Sequence, residues 1–575
     1  MLNLNDYLKN IHDLLKNNKL DNALELCNQN SQKKIDHIIN NFKGAIYLKK
    51  KNFIKAQENF INSIESKKDF IDPYKNLFVI YNNQKKFNHL LEISFKILDF
   101  DKKNPTYNFQ VGYALEKNGF LTKSIEYYKK ALDLGFEDKK KIFNNLGNLY
   151  SDLGEIDKSI EIYENTYLEN TKDKILLNNL ISAYLEKRNI KKSKYYIDKS
   201  IKLDSDYVHF KYNQAKYLFL LNNVDEAINL LKEIIYTEEN IEFIGLLCRI
   251  YFMTGRLTDG NKLLSEKLSK FPNDPKLLRF KCFRSLIDGN FDEGWKLYKY
   301  TESNFNVKFP SIPEWKGEDL NSKKILVYNE QGNGDAIVYS KYLISLNKIC
   351  KNIDFILNKN LIEIFEADDH EGLNLITKEN IDLNKYNYKI SLGSLIKFFY
   401  KDSNLTTKNL IKVNLDKVNS FKNEIDTKKL NIGIAWSGTF YGPKQPYRSI
   451  PLDKFKDIIS PDFNFYCLQN EIWESDQITF NNLNIINKGN LKFKPLSEFI
   501  QNLDLVISSD TSILHLAASL GKETWCLISL DPDWRWGKFI EFYKYENIKI
   551  YRQNKFNDWT DIMQVIKKDL AKKIL

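Results

Sequence analysis

VGYALEKNGFLTKSIEYYKKAL, residues Val111 to Leu132, is followed by LGNLYSDLGEIDKSIEIYENT, residues Leu146 to Thr166. Both obey one grammar: a small residue, an aromatic or Leu soon after, Gly at a turn, then a second stretch whose apolar positions recur at the spacing of a helix face. Aligning on the small or apolar residue that lets two paired helices approach extends the pattern both ways. It falls at Ala23, Ala56, Leu90, Ser124, Ser159, Ser193, Ala227, Gly260 and Gly294, at spacings of 33, 34, 34, 35, 34, 34, 33 and 34. That period predicts about nine helix pairs over residues 1–309, an all-α solenoid. One pair cannot bury its apolar face alone, so the pairs stack and create a concave groove.

The pattern resembles the tetratricopeptide repeat, with matches at Gly112, Gly119, Ser124, Tyr128 and Ala131, and again at Gly147, Tyr150, Gly154 and Tyr163. Phe60, Tyr128 and Tyr163 read as the apolar stripe between helices, which is scaffold. A different position carries a functional expectation. Fourteen residues before the anchor, five consecutive units place Asn76, Gln110, Asn145, Asn179 and Asn213 on the first helix. A primary amide offers both donor and acceptor, so a row of them can grip the backbone of an extended peptide whatever its side chains. This groove is similar to that of protein O-linked N-acetylglucosamine transferase, whose asparagine ladder holds acceptor polypeptide; the alternative is an accident of an Asn-rich composition.

The texture changes at Phe309-Pro310, where Pro blocks helix continuation and a linker begins. Short apolar runs then alternate with helical ones. KKILVYNE (Lys323 to Glu330), DFILN, LNLIT and YKISL read as strands of one lobe over 310–428; LNIGIAWSG, FNFYCLQ, LNIIN, LDLVISS and ETWCLIS read as strands of a second over 429–575. Strands alternating with helices imply parallel sheets, and two such lobes imply a cleft. Ligands of open parallel sheets sit beyond the carboxyl ends of the strands, so the post-strand loops are the candidates. Gly332-Asn333-Gly334-Asp335 puts a carboxylate where backbone can approach a ligand, or caps a helix. Ser437-Gly438 opens a loop that delivers Lys444 and Arg448, suited to an anion or simply solvated. Gln469 follows the next strand. Ser508-Ser509-Asp510-Thr511-Ser512 ends a strand and opens a helix whose N–H groups could hold a pyrophosphate, or Asp510 caps that helix; His515 lies one turn on, as a ligand contact or a packed ring.

With 575 residues a single core is excluded, and 43% hydrophobic with 28% charged residues excludes wholesale disorder and a polytopic membrane protein. A net charge of +11 raises the question of nucleic acid, but only eight of 86 basic residues are Arg and the lysines are interspersed with acids, so no nucleic-acid partner is expected. No stretch is long and apolar enough to span a bilayer. The N-terminus lacks a signal-peptide pattern, and six scattered cysteines without a C-x-x-C pair fit a reducing compartment, so a cytoplasmic location is expected. Asp531-Pro532-Asp533 has metal-binding spacing, but Asp99-Phe100-Asp101 and Asp204-Ser205-Asp206 repeat it inside the helical half, and no metal site is read from it.

ILVYNEQGNGDAIVYSKYL, IGIAWSGTFYGPKQPYRSIPL and LDLVISSDTSILHLAASLGKETWCLISLDPDWRWG, with the join GNFDEGWKLYKYTE to FPSIPEWKGEDL, resemble bacterial proteins that link tetratricopeptide repeats to a glycosyltransferase family 9, heptosyltransferase-like domain. The resemblance implies a GT-B fold of two Rossmann-like lobes and an inverting, metal-independent transfer from a nucleotide-diphospho-sugar, with no other cofactor. It implies Asp335 as general base and Asp510, Thr511, Ser512 and His515 at the donor phosphates, with Lys444 or Arg448 as the basic residue; Gly334, Ser437, Gly438 and Gln469 of the same post-strand loops are candidates for donor binding beside them. Ser512 replaces the family's usual glycine, and the basic residue comes from a different loop sequence. A protein or peptide acceptor held by the repeats is the expected partner. The alternatives are transfer to lipopolysaccharide or another envelope glycan, and a non-catalytic scaffold with a nucleotide-sugar-binding domain.

Overall fold

The computed structural model describes residues 4–29, 33–301, 309, 311–365, 371–377, 381–402, 411, 413–440, 446–537 and 545–573. It forms two compact units, Met1–Asn213 and Gln214–Leu575. Among the described residues, helices pair from Leu4–Lys16 with Leu20–Asn28 to Pro275–Ile287 with Phe291–Leu297, nine hairpins in all. Every anchor read from the sequence lies on the second helix of its hairpin and is buried, Ala23, Ala56, Leu90, Ser124, Ser159, Ser193 and Ala227 to 0% exposure.

The reason for small residues is visible within single hairpins. A Cβ on Gly44, Gly112 or Gly147 would lie 2.5, 2.9 or 2.4 Å from the ring of Phe60, Tyr128 or Tyr163 on the second helix. The aromatic ring therefore lies flat on bare backbone, and the scaffold reading of these rings holds. Gly147→Ala is expected to destabilise by about 1–3 kcal/mol, because Tyr163 is walled in and must leave its rotamer; a thermal melt of the isolated variant checks this.

Each hairpin turn uses one left-handed residue, at 18, 51, 85, 119, 154, 188, 222, 255 and 289, but only Gly119, Gly154, Gly255 and Gly289 are glycine. Lys51, Lys85 and Arg188 hold φ of 60°, 55° and 56°. An L-residue pays about 1–2 kcal/mol there, and glycine gives back about 0.5–1 through the entropy of its unfolded chain. Replacing all three by Gly is therefore expected to raise the melting temperature, and an unchanged or lower value would show that the side chains contribute more than the backbone costs.

Unit 2 contains two parallel sheets. The first comprises β1 (Ile325–Tyr328), β2 (Ile353–Ile356), β3 (Leu373–Ile376) and β4 (Tyr388–Ser391), in the order β3-β2-β1-β4. The second comprises β5 (Leu430–Ala435), β6 (Phe463–Cys467), β7 (Ile485–Asn487), β8 (Leu505–Ser509), β9 (Thr524–Ile528) and β10 (Ile548–Arg552), in the order β10-β9-β8-β5-β6-β7. Strand β10 was not read from the sequence. β1 is buried along its whole length, as are β8 and β9, which is why they read as unbroken apolar runs. In each sheet the chain walks outward, β1 to β3 and β5 to β7, then returns to the other side of the starting strand. The strand order therefore reverses between β1 and β4 and between β5 and β8, where the adjoining loops splay apart and leave a crevice. Cys282, Leu286, Trp295 and Tyr298 of the last hairpin share a hydrophobic core with these sheets.

Candidate functional site

Loops following β1, β5, β6, β7, β8 and β9 meet around one cavity of about 440 Å³. From the first sheet come Gly334 and Asp335. From the second come Ser437, Gly438, Arg448 and Gln469, then Asp510, Thr511, Ser512 and His515. Residues read separately along the chain thus line a common space. Lys444 lies outside the described residues.

The approach of the two sheets explains Gly334. A Cβ there would sit 3.0 Å from His515 Cδ2 and 3.2 Å from Ser512 Cα, so glycine serves close contact between loops of different sheets. Asp335 is the third residue of the helix Asn333–Tyr339, which Gly332 caps; its Oδ2 accepts the Gly332 N–H at 3.1 Å. Its Oδ1 pairs with the Arg535 guanidinium. Arg535 also approaches Asp510 Oδ2 at 3.6 Å and Asp533 Oδ1 at 3.2 Å, and is only 7% exposed. Sequence reasoning assigned Arg535 no role, although its rarity as one of eight arginines was a usable signal.

Asp510 does not cap the following helix. That helix is Ser512–Ser519 with Thr511 at its cap and no side-chain cap bond, which leaves N–H groups of the first turn directed at the cavity end. Asp510 instead faces His515, Oδ1 to Nε2 at 3.4 Å. Burial pushes the Asp510 carboxyl up, but the hydrogen bond and charge of His515 and the charge of Arg448 outweigh it, and the group lies below its ordinary value. His515 is 1% exposed, stacks on Trp536 at 6.0 Å, and has Nδ1 3.2 Å from the Tyr545 hydroxyl, so it is packed and also lines the cavity.

Gln469 is engaged by the protein itself. Its side-chain carbonyl accepts the N–H groups of Trp436 and Ser437 at 2.8 and 3.1 Å, and its amide donates to Ser437 Oγ and Glu471 O at 2.9 and 2.7 Å. It braces the loop after β5. Arg448 also lines the cavity, and its buried Nε–H has no hydrogen-bond partner among the described residues. The Asp531-Pro532-Asp533 carboxylates are occupied by arginines, Asp531 by Arg284 at 3.4 Å and Asp533 by Arg535.

In unit 1 the amide row forms a seam. Asn76 donates to Asn41 Oδ1 at 3.0 Å, Asn179 to Asn144 Oδ1 at 2.7 Å, and Asn213 to Asn178 Oδ1 at 2.8 Å, each reaching the preceding hairpin. Asn145 donates to the Tyr128 hydroxyl at 3.0 Å, and the buried Oε1 of Gln110 has no partner among the described residues. Asn213 donates to the Asn178 backbone carbonyl as well, at 3.1 Å, so its amide is spent within the protein.

Among the described residues no helix is long and apolar enough to cross a membrane. Residues 105–134 and 141–165 match the tetratricopeptide repeat family. The chain is similar to the Photosystem I assembly protein Ycf3 of Prochlorococcus marinus (strain MIT 9301), 36% identical over 94 residues that cover 16% of this chain and 53% of the relative. It therefore spans about half the length of the curated relatives it matches. Among solved structures, a tetratricopeptide repeat protein from Parabacteroides merdae shares 16% identity and a TM-score of 0.32, covering 48% of this chain and 94% of that one. YrrB, described as a TPR protein with an unusual peptide-binding site, shares 18% identity and a TM-score of 0.27, covering 33% and 96%. The hairpins of residues 105–165 are tetratricopeptide repeats, and they belong to a helical solenoid followed in sequence by parallel sheets.

Proposed function

We propose that the two-sheet region is a GT-B glycosyltransferase domain of the family 9 type and that the repeats recruit its acceptor, a polypeptide. The observation that carries this reading is the convergence of post-strand loops from two parallel sheets on one cavity that holds Arg448, the start of the helix Ser512–Ser519, and Asp335. In the proposed reaction Asp335 takes the proton of an acceptor hydroxyl, whose oxygen attacks the anomeric carbon of a nucleotide-diphospho-sugar. The bond from that carbon to the diphosphate oxygen breaks, and the nucleoside diphosphate leaves with the electron pair. Its growing negative charge is met by Arg448 and the N–H groups at Thr511 and Ser512, which act on charge that develops in the transition state. Six thiols, all unpaired and buried, suit the reducing compartment expected for such an enzyme.

A ligand that binds only the native state must raise the melting temperature. One or more of the UDP-, GDP- and ADP-linked sugars is therefore expected to stabilise the protein in the presence of a chelator. Stabilisation by none of them would remove the donor site from this account.

The amide seam favours a second reading, transfer to an envelope glycan with the repeats serving assembly, because Asn179 and Asn213 already spend donors on their own neighbours. Replacing Asn145, Asn179 and Asn213 together by Ala separates the two. Each hydrogen bond is worth about 0.5–1.5 kcal/mol, so the variant is expected to melt earlier in either case. A peptide acceptor predicts in addition a loss of protein modification of about tenfold or more with hydrolysis of the nucleotide-sugar retained; unchanged protein modification at a temperature where the variant is folded would favour the glycan.

A further inference from the structure

The two arginines of the cavity stand on loops that are gripped from outside the sheets. Tyr447, adjacent to Arg448, packs against Phe219 at 4.7 Å between ring centroids, and Phe556 closes a triad at 5.2 Å from Tyr447 and 5.4 Å from Phe219. Phe219 is 5% exposed and belongs to the hairpin helix Val208–Leu220. The loop carrying Arg535 is held by the last hairpins. Arg284 pairs with Asp531 at 3.4 Å while its guanidinium lies 4.9 Å from the Phe252 ring centroid. Trp295 meets Trp534 edge-on at 5.3 Å, and a Cβ on Gly537 would lie 2.5 Å from the Ile287 carbonyl oxygen. None of Phe219, Arg284 or Trp295 lines the cavity.

We propose that these repeat hairpins form a positioning wall for the diphosphate site, with Phe219 acting through Tyr447 on Arg448 and Arg284 acting through Asp531 on Arg535. The proposal rests on the nucleotide-diphospho-sugar reading above and deepens it: the repeats shape donor binding as well as meeting the acceptor. A guanidinium on a loop must be held in place to recognise a phosphate, and here the restraint comes from aromatic packing and an ion pair supplied by helices of a different architecture. Removing the restraint leaves the arginine present but unordered, so its contribution to binding falls.

The test is a thermodynamic cycle on the full chain, with UDP, GDP, ADP and inorganic pyrophosphate titrated calorimetrically. Phe219→Ala is expected to weaken binding about tenfold, Phe219→Leu to restore most of it, and Phe219→Ala to have no further effect in an Arg448→Ala background. Arg284→Met is expected to weaken binding and Arg284→Lys to recover it. Circular dichroism of the milder Phe219→Leu and Arg284→Lys variants shows that the fold is kept. A general loosening of the fold would instead make the Phe219 and Arg448 effects additive, and additivity, or unchanged affinity in Phe219→Ala, overturns the wall while leaving the donor site standing. Failure of the wild-type protein to bind any of the four probes overturns the nucleotide-sugar reading and the wall together.

Discussion

Asp335→Asn is expected to lower sugar transfer by about 10²- to 10⁴-fold, the usual contribution of a general base, with donor affinity kept. Asparagine retains an oxygen for the Gly332 N–H that Asp335 Oδ2 accepts at 3.1 Å, so the start of the helix Asn333–Tyr339 is preserved. Arg535 loses one carboxylate but keeps Asp510 and Asp533 nearby. What disappears is the basic oxygen at the mouth of the cavity. The ion pair sharpens the test, since a carboxylate that only anchored Arg535 would show its loss in donor affinity and leave turnover at saturating donor alone. Turnover within about threefold of wild type under saturation would remove Asp335 from catalysis.

Arg448→Ala is expected to reduce turnover by about tenfold or more, without recovery on adding magnesium. The choice of Arg448 over Arg535 follows from their partners. Arg535 faces three carboxylates, Asp335, Asp510 and Asp533, whereas Arg448 acts on Asp510 through its charge and has a buried Nε–H with no hydrogen-bond partner among the described residues. A guanidinium in that condition gains most from an incoming phosphate oxygen. Because the leaving diphosphate carries more charge in the transition state than in the bound donor, the loss should be larger in kcat than in KM. A kcat equal to wild type, or full activity restored by magnesium, would place the charge balance elsewhere.

The helical half was legible because its signal is periodic: one small residue every 34 or so marks a contact that every hairpin repeats. The turns were less so, since Lys51, Lys85 and Arg188 take the left-handed conformation without the glycine that usually marks it. The amide row was seen as a row but not as a seam. Its partners Asn41, Asn144 and Asn178 stand 35 residues before Asn76, Asn179 and Asn213, and it takes the register of neighbouring hairpins to show that this offset means contact. In the sheets, strand ends pointed to loops that line one cavity. Gly334 was noticed for backbone approach, but the neighbours it admits, His515 and Ser512, lie about 180 residues away and only folding brings them together. Arg535 escaped for the same reason: its carboxylates at 335 and 510 belong to different sheets, and no local motif surrounds it.

The central claim is that this cavity releases a nucleoside diphosphate from a nucleotide-sugar. Its most direct test is to incubate the full chain with UDP-, GDP- and ADP-linked sugars in a chelator and to follow nucleoside diphosphate release, with Asp335→Asn and Arg448→Ala in parallel. The account predicts slow release from at least one donor by the wild-type protein, reduced about tenfold or more by Arg448→Ala. No release from any donor, or equal release by both variants and the wild type, would contradict it.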